Sequence, residues 1–422
     1  MRRKTLPLLS VSFLALIAVA VYLAFAMTES SSIALSNIPK PGFAKPTNKN
    51  IPFQYRYGAW LDENGAVAPD GILDAISQRD LYLAAHRPTD GFGDDGVARA
   101  LTWVPRGPQN VGGRTRSIVV DPNNSAILYA GAVSGGIFKS IDRGKTWAAM
   151  NNLLSNFNVN CLAIEPGPGR GTILYAGTGE GFAGPGLRGG GVFKSTDGGM
   201  TWNRLEQSWL EKWAYVNSIA VSNSVILAAV TGGNGSEGHR GIMRSTNGGE
   251  TWSKEIDASS ASFVGFDPSD PSIAIAATCD DENVQCKVYR STSGGASWQP
   301  SNLGDSATPL PSPSPFVTSN AGNIVEFAFQ PSGGSAPSII YAQHNPPGSP
   351  THSIISKSLD GGLNFSSYGL SGTPEGVSGY TSVLWVSPTS TESIVLGGNA
   401  YLWRSMNGAQ SFDVTKSLRD IS

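Results

Sequence analysis

Short apolar runs rich in β-branched and aromatic residues recur along the chain, each ended by Gly, Pro, Asn, Asp or Ser. Residues 118–120, 127–130 and 136–139 form one such series, and 162–164, 173–176 and 191–194 form the next. Runs of this length between turn residues predict strands, and no repeat carries the 3.6-residue period of a helix. One N-terminal stretch differs: Ile72, Leu73, Ile76, Leu81 and Leu83 predict a short helix ending near Arg87-Pro88.

An octapeptide punctuates the strand series six times. It reads Ser140-Ile-Asp142-Arg-Gly144-Lys-Thr146-Trp147, then Ser195-Thr-Asp197-Gly-Gly199-Met-Thr201-Trp202 and Ser245-Thr-Asn247-Gly-Gly249-Glu-Thr251-Trp252. Ser291-Thr-Ser293-Gly-Gly295-Ala-Ser297-Trp298 follows, with looser copies from Ser358 through Asp360 to Phe365 and from Ser405 through Asn407 to Phe412. Asp or Asn before Gly favours a tight hairpin turn, because these residues tolerate positive φ. The Ser and Asp side chains can bond the turn backbone, and the closing aromatic starts the next strand with a large apolar surface to bury. Successive first serines are 55, 50, 46, 67 and 47 residues apart. Four short strands in each repeat of that length predict an all-β fold, a β-propeller of about six four-stranded blades. The ring is either complete at six or the visible part of a seven-bladed one, and Trp103–Pro105 is placed to supply a closing strand.

The octapeptide resembles the Asp-box, or bacterial neuraminidase, repeat of sialidases, sortilin, xyloglucanases and photosystem II assembly factors. The resemblance runs over about residues 103–416. The stretches Trp103-Val-Pro-Arg-Gly-Pro-Gln-Asn-Val-Gly-Gly-Arg114 and Tyr175-Ala-Gly-Thr-Gly-Glu-Gly181 look like a broad group of exported bacterial Asp-box proteins. It implies the fold and says little of function, since binding, hydrolytic and assembly proteins share it. In xyloglucanases an Arg-Thr-Asp-x-Gly-Gly stretch carries a catalytic Asp. The aligned residues here run from Gly131 to Gly136 and put Val133 in its place. The Arg-Ile-Pro motif of sialidases does not occur in the sequence.

Arg2, Arg3 and Lys4 precede an apolar run over residues 6–26, and Ala24-Phe25-Ala26 offers a cleavage site. This is an export signal, either cleaved or retained as a membrane anchor, in residues 1–27. A linker at 28–54, an extension at 55–102 and the propeller at 103–422 follow. An insertion at 304–322, with Pro309, Pro311, Pro313 and Pro315, is expected to be a polar surface loop. Only three cysteines are present, so no disulfide framework holds the fold. Cys279 and Cys286 flank a polar hexapeptide between two strands and are expected to pair in an oxidising compartment, while Cys161 reads as a buried hydrophobe. Gly and Pro make up 78 of 422 residues, charged residues are 15%, and the net charge is -2. That balance excludes a coiled coil and an electrostatic nucleic-acid binder. Membrane contact is expected only through the N-terminal segment, and the chain is expected to be a monomer.

Propeller geometry sorts the loops. With strands A to D running outward, the octapeptides are C–D turns on one face, so Asp142, Asp197 and Asp360 are turn supports. The B–C loops crown the other face, where the channel widens: 131–136, 177–190, 231–240, 278–286, 343–353 and 397–399. They carry Glu180 and Arg188, then Glu237, His239 and Arg240, then Asp280, Asp281 and Glu282, then His344 and His352, and finally Asn399. Arg114 and Arg116 open the first blade beside them. Such a funnel suits a glycan or peptide ligand. No cofactor or metal site is expected, since His344 and His352 lack zinc spacing. A glycosidase needs two carboxylates flanking the bond, and Glu180 with Asp280 or Asp281 are the candidates. With no catalytic constellation identifiable, the sequence points to an exported ligand-binding or interaction scaffold. A glycoside hydrolase acting on polysaccharide is the alternative, and an assembly factor for an exported or membrane complex is a second.

Overall fold

The computed structural model describes residues 114–417 apart from 134, 151–157, 167–170, 181–187, 233–238, 281–284, 306–316, 320–324, 332–336, 345–353, 369–382, 391 and 398–400, together with Gln78 and Leu81, both helical. The expected export signal, linker and closing strand at Trp103–Pro105 lie outside the described residues.

Six antiparallel sheets form the blades of a six-bladed β-propeller. Blade one holds β1 (Thr115–Val120), β2 (Leu128–Ala132), β3 (Gly136–Ser140) and β4 (Ala148–Ala149). Blade two holds β5 (Val159–Pro166), β6 (Thr172–Thr178), β7 (Val192–Ser195) and β8 (Asn203–Arg204). A short helix, α1 (Glu206–Leu210), leads into blade three, which holds β9 (Tyr215–Ser222), β10 (Val225–Thr231), β11 (Gly241–Ser245) and β12 (Ser253–Asp257). Blade four holds β13 (Ser260–Phe266), β14 (Ala274–Asp280), β15 (Gln285–Ser291) and β16 (Gln299–Pro300).

The 304–322 insertion then departs from expectation. The chain crosses to blade five as β17 (Asn302–Asp305) and returns to pair with β15 as β18 (Val317–Ser319). Blade five continues with β19 (Glu326–Gln330), β20 (Ile339–His344), β21 (Ile354–Ser358) and β22 (Asn364–Tyr368), and β17 lies parallel to β22 at its outer edge. Blades four and five therefore have five strands each, because the flanks of the insertion find unpaired outer edges to bond. Blade six holds β23 (Val383–Val386), β24 (Ile394–Gly397), β25 (Tyr401–Ser405) and β26 (Asp413–Ser417).

The core lies between blades. Tyr129 and Ile137 of blade one pack with Val159, Leu174 and Trp202 of blade two. Ile275 and Val288 of blade four pack with Phe327, Ile340 and Phe365 of blade five. Each octapeptide turn is locked by its own side chains. Ser195 donates to Asp197 Oδ1 at 2.8 Å and accepts from the Gly199 N–H at 2.9 Å, and Asp197 Oδ1 accepts from the Thr201 N–H at 2.9 Å. Ser140, Ser245, Ser358 and Ser405 repeat this set with Asp142, Asn247, Asp360 and Asn407. Ser291 repeats it with Ser293. Gly198 and Gly199 have φ of 69° and 86°, which is why glycine recurs there. The third strand of a blade then clasps the next turn. Lys139 donates to the Gly198 carbonyl at 3.3 Å, Lys194 to that of Gly248 at 3.1 Å, Arg244 to that of Gly294 at 3.0 Å and Arg290 to that of Gly361 at 2.7 Å.

The Thr146 hydroxyl and N–H hold the Asp142 carboxyl down at about 2. Against the burial that raises it, Asp197 is brought to about 2 by Thr201 and Ser195. These acids are committed to their turns on the face away from the B–C loops.

Candidate functional site

Antiparallel winding brings the first residues of β1, β5, β9, β13 and β19 to the same end of the channel as the B–C turns. There the innermost strands bulge. Register slips between Thr115 and Ser117, Val159 and Cys161, Ala229 and Val230, and Ala261 and Phe263. A bulge turns one extra residue out of the alternating pattern. Arg116, Asn160, Asn217 and Ser262 occupy these places, one per blade.

Three of them are linked in sequence around the channel. Arg116 Nε donates to Asn160 Oδ1 at 3.2 Å, and Asn160 Nδ2 donates to the Val216 carbonyl at 3.1 Å and to Asn217 Oδ1 at 3.4 Å. Asn217 Nδ2 donates to Thr231 Oγ1 and to the Ala261 carbonyl, both at 2.8 Å. Buried amides with such complete bonding are rigid positioning elements.

Two carboxylates approach this belt. Glu180 follows β6 and is buried, with Arg114 donating through Nη2 to its Oε2. Its Oε1 is buried without a hydrogen-bond partner among the described residues. Gly179 delivers it: φ is 93°, and a Cβ there would stand 2.1 Å from the Ala214 carbonyl oxygen. Across the channel, Glu326 begins β19 and pairs with Gln343. Burial pushes its carboxyl up to about 7, with Arg116 pulling the other way. Arg116 itself is lowered by burial, while Glu326 and Glu180 hold it up. The arrangement is a cation acted on by two acids, with Arg116 and Glu326 half-buried and Arg114 exposed.

The remaining sequence candidates divide. Arg188 Nη2 donates to the Lys212 carbonyl at 3.4 Å and lies near Tyr215, whose phenol is raised by burial. His239 pairs with Glu211 at 3.0 Å, and Glu211 also accepts from the Trp213 indole at 2.9 Å, so this histidine serves the α1 region. Trp213 is buried edge-on to Trp252, while Trp209 carries the Arg204 guanidinium 4.0 Å from its ring centre. Arg240 is exposed. His344 is not a loop residue as expected: it ends β20, is buried, and shares a 2.8 Å hydrogen bond with Ser356. Asp280 ends β14, and a disulfide joins Cys279 to Cys286 directly across β14 and β15. Glu237, Asp281, Glu282, His352 and Asn399 lie outside the described residues. Among the described residues no group of acids, histidines and cysteines could hold a metal ion, and no helix is long and apolar enough to cross a membrane.

Sequence reasoning missed Asn160, Asn217 and Glu326. Each sits within a strand, where nothing distinguishes it from a solvated strand residue until the bulges and neighbouring blades are placed.

No family model matches the chain. It is 24% identical over 277 residues to a xyloglucanase of Paenibacillus sp, covering 57% of this chain and 27% of that protein. It is 26% identical over 263 residues to the xyloglucanase Xgh74A of Acetivibrio thermocellus, covering 52% of this chain and 30% of that protein. The chain thus spans under a third of the length of these relatives. Among solved structures, a GH74 xyloglucanase from Xanthomonas campestris is similar over 72% of this chain and 45% of its own, with a TM-score of 0.48 and 16% identity. The structural neighbours are β-propeller proteins.

These relatives correct the expectation of a scaffold without a catalytic constellation. That expectation rested on missing catalytic signatures, namely Val133 standing in place of an acid and the absent Arg-Ile-Pro motif. Val133 is indeed a buried apolar residue, but its N–H donates at 2.9 Å to the carbonyl of Arg114, whose side chain holds Glu180. A carboxylate therefore reaches this neighbourhood from blade two.

Proposed function

We infer that the protein is a glycoside hydrolase that cleaves a polysaccharide at the channel mouth, with Glu326 as acid and Glu180 as its partner carboxylate. The observation that carries this reading is that two carboxyl groups, Glu180 and Glu326, both act on Arg116. Hydrolysis of a glycosidic bond needs one carboxyl that keeps its proton near neutral pH and one that is ionised. Glu326, raised to about 7 by burial, has the first property. Glu180, held by Arg114, is placed for the second role, and its Oε1 is buried without a hydrogen-bond partner among the described residues. Glu326 gives its proton to the glycosidic oxygen as that oxygen's bond to the anomeric carbon breaks, and a water bonds to the carbon in its place, passing its proton to Glu180. Arg116, fixed by Asn160, stands between the two acids and keeps Glu326 from rising further.

The xyloglucanase relatives support a β-glucan-type backbone as substrate. The protein is read as an exported Asp-box propeller: the N-terminal segment has the form of an export signal, and the Cys279–Cys286 bridge suits an oxidising compartment. The test is reducing-sugar release from xyloglucan and other β-glucans by the full chain. Glu180→Gln and Glu326→Gln are each expected to lower turnover by at least ~100-fold, the usual contribution of a positioned acid or base. No release from any polysaccharide, or full activity in both variants, overturns the assignment.

A further inference from the structure

The octapeptide of blade one departs from the other five in ways its turn does not need. Its fourth position has φ between 62° and 71° in Gly198, Gly248, Gly294, Gly361 and Gly408, yet in blade one Arg143 occupies it, with φ of 63°. A side chain in that conformation is strained, so its presence asks for a use outside the turn. Ile141 stands where blades two, three and four have Thr196, Thr246 and Thr292. Lys145 stands where the others have Met200, Glu250, Ala296, Leu363 and Gln410. Ile141, Arg143, Lys145 and Trp147 are all exposed. Asp142 is bonded to Thr146 within the turn, and neither Arg143 nor Lys145 forms an ion pair among the described residues. One short turn thus offers two apolar side chains and a net positive charge.

The rim on either side of this turn is apolar as well. Ile141 is 70% exposed, Met200 67%, Leu359 66% and Met406 56%. They sit on the octapeptide turns of blades one, two, five and six, which follow one another around the ring. These side chains are tips of turns rather than walls of a groove, so they suit a flat partner better than a peptide. Among the described residues, the exposed acids of the turns at this end are Glu250 and Asp270 on blades three and four, outside the arc, and Glu392 on blade six. Apolar tips with a tryptophan and cations among them have the composition of a surface that enters the headgroup region of an anionic bilayer. We propose that the octapeptide face rests on an anionic lipid surface through blades five, six, one and two, with Ile141, Arg143 and Lys145 at the centre of the contact. This contact is separate from any made by the N-terminal segment. It leaves the channel mouth, with Glu180 and Glu326, on the side turned to solvent.

Methionine oxidation on the full chain tests the proposal, because Met200 and Met406 report from the surface itself and the buried Met243 reports on folding. With phosphatidylglycerol vesicles present, dilute peroxide is expected to oxidise Met200 and Met406 at least about fivefold more slowly than in buffer, read by peptide mass spectrometry. Phosphatidylcholine vesicles are expected to give no protection. The triple variant Ile141→Thr, Arg143→Gly, Lys145→Gln takes residues that other turns use at those positions, so it keeps the fold, and it is expected to lose the protection. It retains the N-terminal segment, which assigns the loss to the turn. Absence of protection on phosphatidylglycerol, equal protection on both lipids, or protection unchanged in the triple variant overturns the proposal. So does equal protection by soluble polygalacturonate, since the partner is then an acidic polysaccharide.

Discussion

Glu326 offers the sharpest test of the channel mouth, because its raised carboxyl makes a thermodynamic demand that is independent of substrate. In the unfolded chain the group titrates near 4.5, and in the folded protein at about 7, chiefly through burial. Between those values the folded state holds a proton that the unfolded state has lost, so stability falls as pH rises through this window and the loss is complete above it. At ~1.4 kcal/mol per pH unit the gap is worth ~3 kcal/mol. Asp142 and Asp197, held at about 2, complete their titration in both states below pH 5 and contribute no slope between pH 5 and 8. Urea unfolding at pH 5 and pH 8 reads the effect directly. The natural chain is expected to lose ~2.5 kcal/mol more over this interval than Glu326→Gln, which has no titrating group at that position. An identical fall in both proteins would refute the buried-acid assignment, and with it the proton donor of the proposed reaction.

Ser195→Ala strips the Gly199 N–H and Asp197 of their partner in a buried turn and is expected to cost ~1–3 kcal/mol by urea midpoint. Ser293→Ala, at an exposed turn position, is expected to cost under ~1 kcal/mol. Cys279→Ser opens a short loop and is expected to lower stability by ~2 kcal/mol, an amount reproduced by thiol reduction of the natural chain. Gly177→Ala places a Cβ 2.4 Å from Cys161 Sγ and 2.6 Å from Val216 Cγ1, where blade two meets blade three, and is expected to cost ~1–3 kcal/mol. Thermal melts at fixed pH rank these variants, and Gly177→Ala matching the natural chain would contradict the tight contact between blades.

The blades were legible because their signals are local. Ser195, Asp197, Gly199 and Trp202 complete their hydrogen bonds within eight residues, so the octapeptide carries its structure in its own sequence. The insertion was read less well, since β17 and β18 are strands only by virtue of edges that belong to distant segments. His344 was misplaced for a related reason. Its strand extends two pairs into the expected loop, through Gln343 and His344, and carries the His344 side chain toward Ser356. The mouth was least legible. Asn160 and Asn217 bond to the next blade from positions at bulges, and a bulge depends on register rather than on residue type.

The corrected functional reading follows from the same geometry. A motif search treats each blade as a unit, and by that measure Val133 removes the acid from blade one. The ring makes neighbours of residues far apart in sequence, however. Arg114 meets Glu180 across 66 residues, and Arg116 meets Asn160 across 44. Glu326 of blade five acts electrostatically on Arg116 of blade one because their innermost strands start at the same end of the channel. On the proposed reading, the carboxylate absent at Val133 is supplied by the next blade, provided the backbone there can turn. Gly179, with its positive φ against the Ala214 carbonyl, supplies that turn for Glu180. The acid at the mouth is then a property of the ring, and the sequence of any single blade does not contain it.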